Sequence, residues 1–151
     1  MSKPKIKIVD HTELRDEIET NSELISQADL ARWAISIARR VLPYAEKEFP
    51  DNAKIKHGVS FIELWQNGEA SVHQVRQGGF KVHEVARECK SKTAKAAARA
   101  TGQAVGVGHM RGHAMVAADY AIKAVGFDSS DDMNRITEER QWQLRELKKY
   151  I

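Results

Sequence analysis

Two histidines four positions apart, His109 and His113, are the residues of this chain whose types and spacing first invite chemistry. On a helix, imidazoles at i and i+4 share a face and can both reach one metal ion, as in zinc-protease helices. Those helices also carry a Glu directly after the first His, where this chain has Met110. A zinc site needs at least three protein ligands. The others would have to come from His57, His73, His83, Glu84 or Cys89 elsewhere in the chain, which spacing alone does not establish. A metal site and a polar binding cleft stay open, but the expectation is that His109 and His113 are buried structural histidines, hydrogen-bonded within the core.

Arg111 and Asp119 are charges in otherwise apolar or small-residue surroundings, and each must be paired or emerge at an edge, because an isolated buried charge is costly. Tyr120 is placed to donate its hydroxyl nearby. Cys89, beside His83 and Arg87, has the basic setting that activates a thiol but no local nucleophile signature, so an unreactive cysteine at a helix end is expected. The basic run Lys90 to Arg99 can hold phosphate, yet within that run no aromatic is interleaved, and a solvated basic face is the simpler reading. Gly106 and Gly108 do not follow a strand, so their GxG spacing is no nucleotide signature.

These residues need elements to hold them. The stretch from Thr93 to Gly126 has no Pro and is rich in Ala and Gly. It reads as one helix over about 93–125, roughly 45 Å long, capped by Thr93 and ended by Gly126. On such a helix Gly102, Gly106, His109, His113 and Tyr120, with Ala124, fall within about 40° of one line, a structural stripe at the centre of the fold. Each helix-interior Gly costs about 1 kcal/mol relative to Ala, so close packing by neighbouring helices is expected along it.

Around it the periodicity predicts four more helices. One runs from Ser22 or Ser26 through Leu30, Trp33, Ile37 and Val41, kinking or restarting at Pro43. Others span Asn52 to Asn67, with Asp51 as cap, and Ser71 to about Cys89, with a Ser71/Gln74 capping box and a weak point or close crossing at Gly78-Gly79. The last runs from Ser130 towards Ile151. Residues 1–20 form an arm or short helix: Lys5 to Val9 alternates like a strand but has no visible partner, and Thr12 to Glu19 suits a turn or two of acidic helix. Residues 21–151 make a single helical domain, so the fold class is all-α, a bundle of about five helices.

At 151 residues the chain can bury a full core without disulfides, and its lone cysteine fits a reducing compartment. No secretory signal is visible at the N-terminus and no span approaches membrane length, which makes the cytoplasm the expected location. A net charge of +3 does not argue for nucleic acid, but its distribution is uneven: Asp10 to Asp29 holds seven acidic residues against Arg15, and Lys81 to Arg99 six basic residues against Glu84 and Glu88. Such asymmetry steers charged partners.

The segment from Arg99 to Gly126 resembles the signature region of the Imm-five-like class of bacterial immunity proteins, associated with polymorphic toxin systems. The residues that carry the resemblance are Gly102-Gln103-Ala104-Val105, His109, His113-Ala114, Ala117-Ala118, Tyr120-Ala121 and Lys123-Ala124-Val125. Arg32-Trp33-Ala34 with Arg40-Val41-Leu42-Pro43, and Glu139-Arg140-Gln141-Trp142-Gln143, agree in order and spacing. Asp119 departs from the pattern, which is uncharged there, and Gly106, Gly108 and Gly112 replace Ala, Thr or other small residues. The resemblance implies a helical protein that binds and neutralises a cognate toxin by occlusion, with no catalysis and no cofactor. Gly102, His109, His113 and Tyr120 then belong to the scaffold. Charge points to Glu13, Asp16, Glu17 and Glu19 as the toxin-binding face, with the basic shoulder as the alternative. A helical enzyme using His109 and His113 is the competing expectation. A homo-oligomer filling the small-residue stripe stays open.

Overall fold

The computed structural model describes residues 2–151. Among them the chain forms seven helices and no strand: α1 (Thr12–Ser22), α2 (Gln27–Glu46), α3 (Ala53–Gln66), α4 (Val72–Glu88), α5 (Lys92–Gly106), α6 (His113–Ser129) and α7 (Met133–Lys148). The all-α class is as expected. The single helix over 93–125 is not, and it is the main correction: the chain turns between Gly106 and His113, so α5 and α6 are separate.

Size and packing explain the break. A compact chain of this length has a radius of gyration of about 15 Å, so a 45 Å rod would project beyond the core its own side chains need. Folding back lets both halves of the Ala-rich segment be buried. The turn is tightened by short-range bonds, from His109 N to Gly106 O at 2.9 Å and from His113 N to Met110 O at 3.1 Å. His113, the first residue of α6, packs on Gly106, the last of α5, where an added Cβ would lie 3.1 Å from the imidazole Cδ2.

Gly108 shows why glycine stands in the turn. It is buried, and a Cβ there would lie 2.8 Å from Val75 Cγ1 and 3.0 Å from Ile62 Cδ1, on α4 and α3. Gly108→Ala should therefore destabilise the protein by about 1–3 kcal/mol, the range for overpacking a filled core. Urea unfolding checks this; an unchanged midpoint would mean that the turn has slack.

α5 sits at the centre, touching α2, α3, α4 and α6. Its alanines, Ala94, Ala97, Ala98, Ala100 and Ala104, are fully buried and let these neighbours approach closely. The Gly78-Gly79 pair is a close crossing: a Cβ on Gly79 would lie 3.4 Å from Gly102 O, and one on Gly78 3.3 Å from Gly58 Cα. Trp33 of α2, also fully buried, donates its indole N–H to Gln143 O at 2.9 Å and ties α2 to α7.

The local signals set most boundaries, with small shifts. Helix α2 runs unbroken through Pro43. Ser91, not Thr93, caps α5, and Glu48 supports that start by accepting from Lys90 N and Ser91 N. Asn52, not Asp51, caps α3, and Asp132, not Ser130, caps α7. Helix α6 passes Gly126 and ends at the left-handed Ser130. The capping box of Ser71 and Gln74 is present. Residues 5–9 pair with no strand; the arm from Ser2 to His11 leads into α1, which packs on α7.

Candidate functional site: charged network, histidine cluster and cationic groove

The break between α5 and α6 takes the expected stripe apart and reassembles part of it across two helices. His109 lies in the turn and His113 opens α6, with ring centroids 5.7 Å apart and stacked. His113 Nδ1 lies 2.6 Å from Gln103 Oε1 on α5. Both rings are half-buried rather than sunk in the core. Among the described residues no group of three His, Cys, Asp or Glu side chains is gathered that could hold a metal ion. Of the other candidate ligands, Glu84 pairs with Lys54 at 2.9 Å, His57 and His73 are exposed, and Cys89 is buried with its thiol directed at Val85 O. Burial, and then Glu48, push the Cys89 thiol up, away from the range of a reactive thiolate.

His83, one of the candidate further ligands, is held by α5 away from any metal set among the described residues. Its ring lies over Gly102, where a Cβ would come within 2.6 Å of Cε1, and its Nδ1 is 3.2 Å from Arg99 Nη1. Burial first, then the charges of Arg99, His113 and Arg87, lower its pKa to about 4. The unfolded chain takes up this proton near pH 6.5, and the folded chain refuses it until about pH 4. Stability is thus full above pH 6.5 and falls as pH falls through that window. After allowance for partial exposure the expected loss is about 2 kcal/mol. Comparing urea midpoints at pH 7 and pH 4.5 for wild type and His83→Gln, which keeps an acceptor for Arg99, tests this. The wild-type drop should exceed the variant's, and equal drops would refute the assignment.

The charged residues of the interior form a network between the arm, α1, α6 and α7. Arg15 donates to Asp119 through Nε at 2.9 Å and Nη2 at 3.0 Å. Arg140 donates to Asp119 Oδ1 at 2.7 Å and to both oxygens of Asp10 at 2.9 and 2.8 Å. Gln143 accepts from Arg140 Nη1 and donates to Ala118 O, so the polar chain ends on backbone. Asp119 is therefore paired, as a buried carboxylate must be. Arg111 does the other expected thing: it emerges at the edge and caps Ser22 O and Ile25 O at 3.2 and 2.8 Å.

Of the acidic face, the structure leaves Glu13 exposed and Asp16 half-buried, while Glu17 lies 3.6 Å from Lys148. Glu19 turns inward. It accepts from Ser2 N and Ser2 Oγ and lies 3.6 Å from Arg15 Nη1. Burial would raise its pKa, but the Ser2 hydrogen bonds and Arg15 outweigh that and hold it below the ordinary carboxylate range. A cavity of about 330 Å³ lies between the arm, α1 and α6. Its lining mixes Lys3, Lys5, Arg15 and Arg111 with Glu19, Glu23 and Asp119, and it presents no single sign of charge.

The feature in which one sign predominates lies along α5. Two adjoining depressions of about 400 and 420 Å³ share Arg99 and Tyr120. The first is lined by Lys92, Lys95, Lys123 and Phe127, the second by Phe80, His83, Glu84, Arg87 and Gln103. Lys92, Lys95 and Arg99 follow helical spacing on α5, and Tyr120, Lys123 and Phe127 do so on α6. The basic run therefore does have aromatic neighbours, supplied by the helix that folds back beside it. Phe80 and Phe127 remain 50% and 40% exposed at the two ends. Lys92 and Lys123 each place Nζ 5.8 Å from the Phe127 ring centroid.

No helix among the described residues is long and apolar enough to cross a membrane. In comparisons with known proteins, the family described as Imm-5 like putative immunity protein matches residues 20–150. No curated protein and no solved structure matches the chain.

Proposed function

Because the chain belongs to the Imm-5 like immunity protein family, we propose that it binds a cognate bacterial toxin and neutralises it stoichiometrically, by covering the toxin's active site or an essential surface, without catalysis. The family match over residues 20–150 carries this reading. The way charge is distributed supports it. Interior charges are consumed by one another in the network of Asp10, Arg15, Asp119 and Arg140, and much of the surface carries mixed pairs such as Arg39 with Glu63 and Arg135 with Asp128, whereas the groove on α5 and α6 gathers Lys92, Lys95, Arg99 and Lys123. Like charge gathered in this way speeds and orients association with a charged partner.

The acidic face, Glu13, Asp16, Glu17 and Glu19, suits a toxin with a basic active site, such as a nuclease. It offers less free charge than its sequence suggests, since Glu19 is tied to the arm and Glu17 lies beside Lys148. The test of the reading is co-expression with candidate toxin domains of polymorphic toxin systems. Protection of growth, a one-to-one complex on size exclusion, and inhibition that saturates at equimolar ratio are expected. Full toxicity with no complex would refute it.

A further inference from the structure

We propose that the groove along α5 and α6 is the docking surface, and that its occupant is an acidic polypeptide segment of the partner protein. This rests on the toxin-binding reading and deepens it by naming the partner's chemistry.

Charge is the first support. Lys92, Lys95, Arg99 and Lys123 line one continuous stretch of surface with Arg87 beyond them, and the carboxylate in that lining, Glu84, is already paired with Lys54. Like charges held this close repel one another, and an opposite charge from outside relieves that repulsion. The aromatic residues are the second. Phe80 and Phe127 stand exposed at the ends and Tyr120 lies half-buried between them. Arg and aromatic side chains are enriched at protein-protein contact centres, and Arg87, Arg99, Phe80, Tyr120 and Phe127 supply them here among the lysines.

The aromatic rings also favour protein over nucleic acid. A single-stranded nucleic acid needs open ring faces on which successive bases stack. Here Phe127 already has two ammonium groups over it, and Arg76 lies 5.5 Å from the Phe80 centroid. Carboxylates reaching along the groove need no open ring face. They can pair with the ammonium and guanidinium groups, while apolar atoms of the same segment cover the ring edges.

The experiment uses the full chain, Lys95→Glu/Lys123→Glu, and the milder Lys95→Ala/Lys123→Ala in case the reversal disturbs folding, each checked by thermal melting. Binding is measured by calorimetry against the toxin domain that the co-expression test identifies. It is also measured by fluorescence anisotropy against labelled decaglutamate and a labelled ten-nucleotide single strand of DNA. A loss of 100-fold or more in toxin affinity for the reversal, and about 10-fold for the alanine pair, supports the groove. Affinity held within threefold, or a loss confined to Glu13→Lys/Glu17→Lys, overturns the groove and leaves the toxin-binding reading standing. If wild type binds no toxin, that reading fails and the short probes judge the groove alone. Decaglutamate binding that the reversal abolishes supports the acidic occupant, and no decaglutamate binding, or tighter binding of DNA, overturns it.

Discussion

Asp119→Ala should destabilise the protein by about 3–5 kcal/mol, the cost of removing one member of a buried ion pair. The Asp119 carboxylate lies between two guanidinium groups, with Arg15 Nε at 2.9 Å and Arg140 Nη2 at 2.7 Å from the same oxygen. Arg140 is 0% exposed and Arg15 4%. Without the carboxylate, two almost fully buried guanidinium groups face each other across the gap. Asp10 stays on Arg140, and Glu19, 3.6 Å from Arg15 Nη1 and bonded to Ser2, does not replace the two hydrogen bonds that Arg15 makes to Asp119. Asp119→Asn separates charge from hydrogen bonding. It keeps an acceptor but loses the charge, so its cost should be smaller, about 2–3 kcal/mol. Urea unfolding followed by circular dichroism checks both, and a loss below 1 kcal/mol for the alanine variant would mean that the two arginines find water. Replacing Arg15, Asp119 and Arg140 together by apolar residues of similar volume should cost far less than Asp119→Ala alone, since an apolar substitute for a buried charged set is often nearly neutral.

What could be read from the chain beforehand divides by distance along it. Periodicity placed the cores of α2, α3 and α4, because Leu30 to Val41 or Val75 to Val85 must share a face within one helix, and caps such as Ser26 and Ser71 act within three residues. Composition reports local tolerance of helix and not the size of the domain, so residues 93–125 read as one helix although the chain turns between Gly106 and His113. Three of the four glycines in that segment lie within the turn or at its edges, and the constraint on Gly108 comes from Val75, Ile62 and Trp65, which no local rule connects to it. The same turn creates the groove. On one straight helix Lys95 and Phe127 would stand roughly 48 Å apart, whereas the hairpin sets them in one depression. The basic run was visible; its aromatic neighbours required the turn. The network was legible only as the requirement that Asp119 be paired, because its partners lie 104 and 21 positions away.

Asp10→Ala should cost about 2–4 kcal/mol, although Asp10 lies in an arm with no regular structure, ahead of the part of the chain that the family comparison covers. Its carboxylate accepts from Arg140 at Nε and Nη2, and its side chain is only 5% exposed. Removing it leaves Arg140 with Asp119, which Arg15 already shares, and with Gln143. Two guanidinium donors would then be buried without an acceptor. If this pairing is the cause, the cost depends on Arg140 being charged. In an Arg140→Met background, Asp10→Ala should cost less than 1 kcal/mol, so the two changes should be strongly non-additive in a double-mutant cycle. Additive losses would show that Asp10 acts through the arm's backbone, for instance through its bond from His11 N at 2.8 Å. The cycle thereby distinguishes an arm that merely covers the bundle from one that supplies a counter-ion to its interior. Only the second explains why a buried arginine of α7 can be tolerated beside a carboxylate that must also neutralise Arg15.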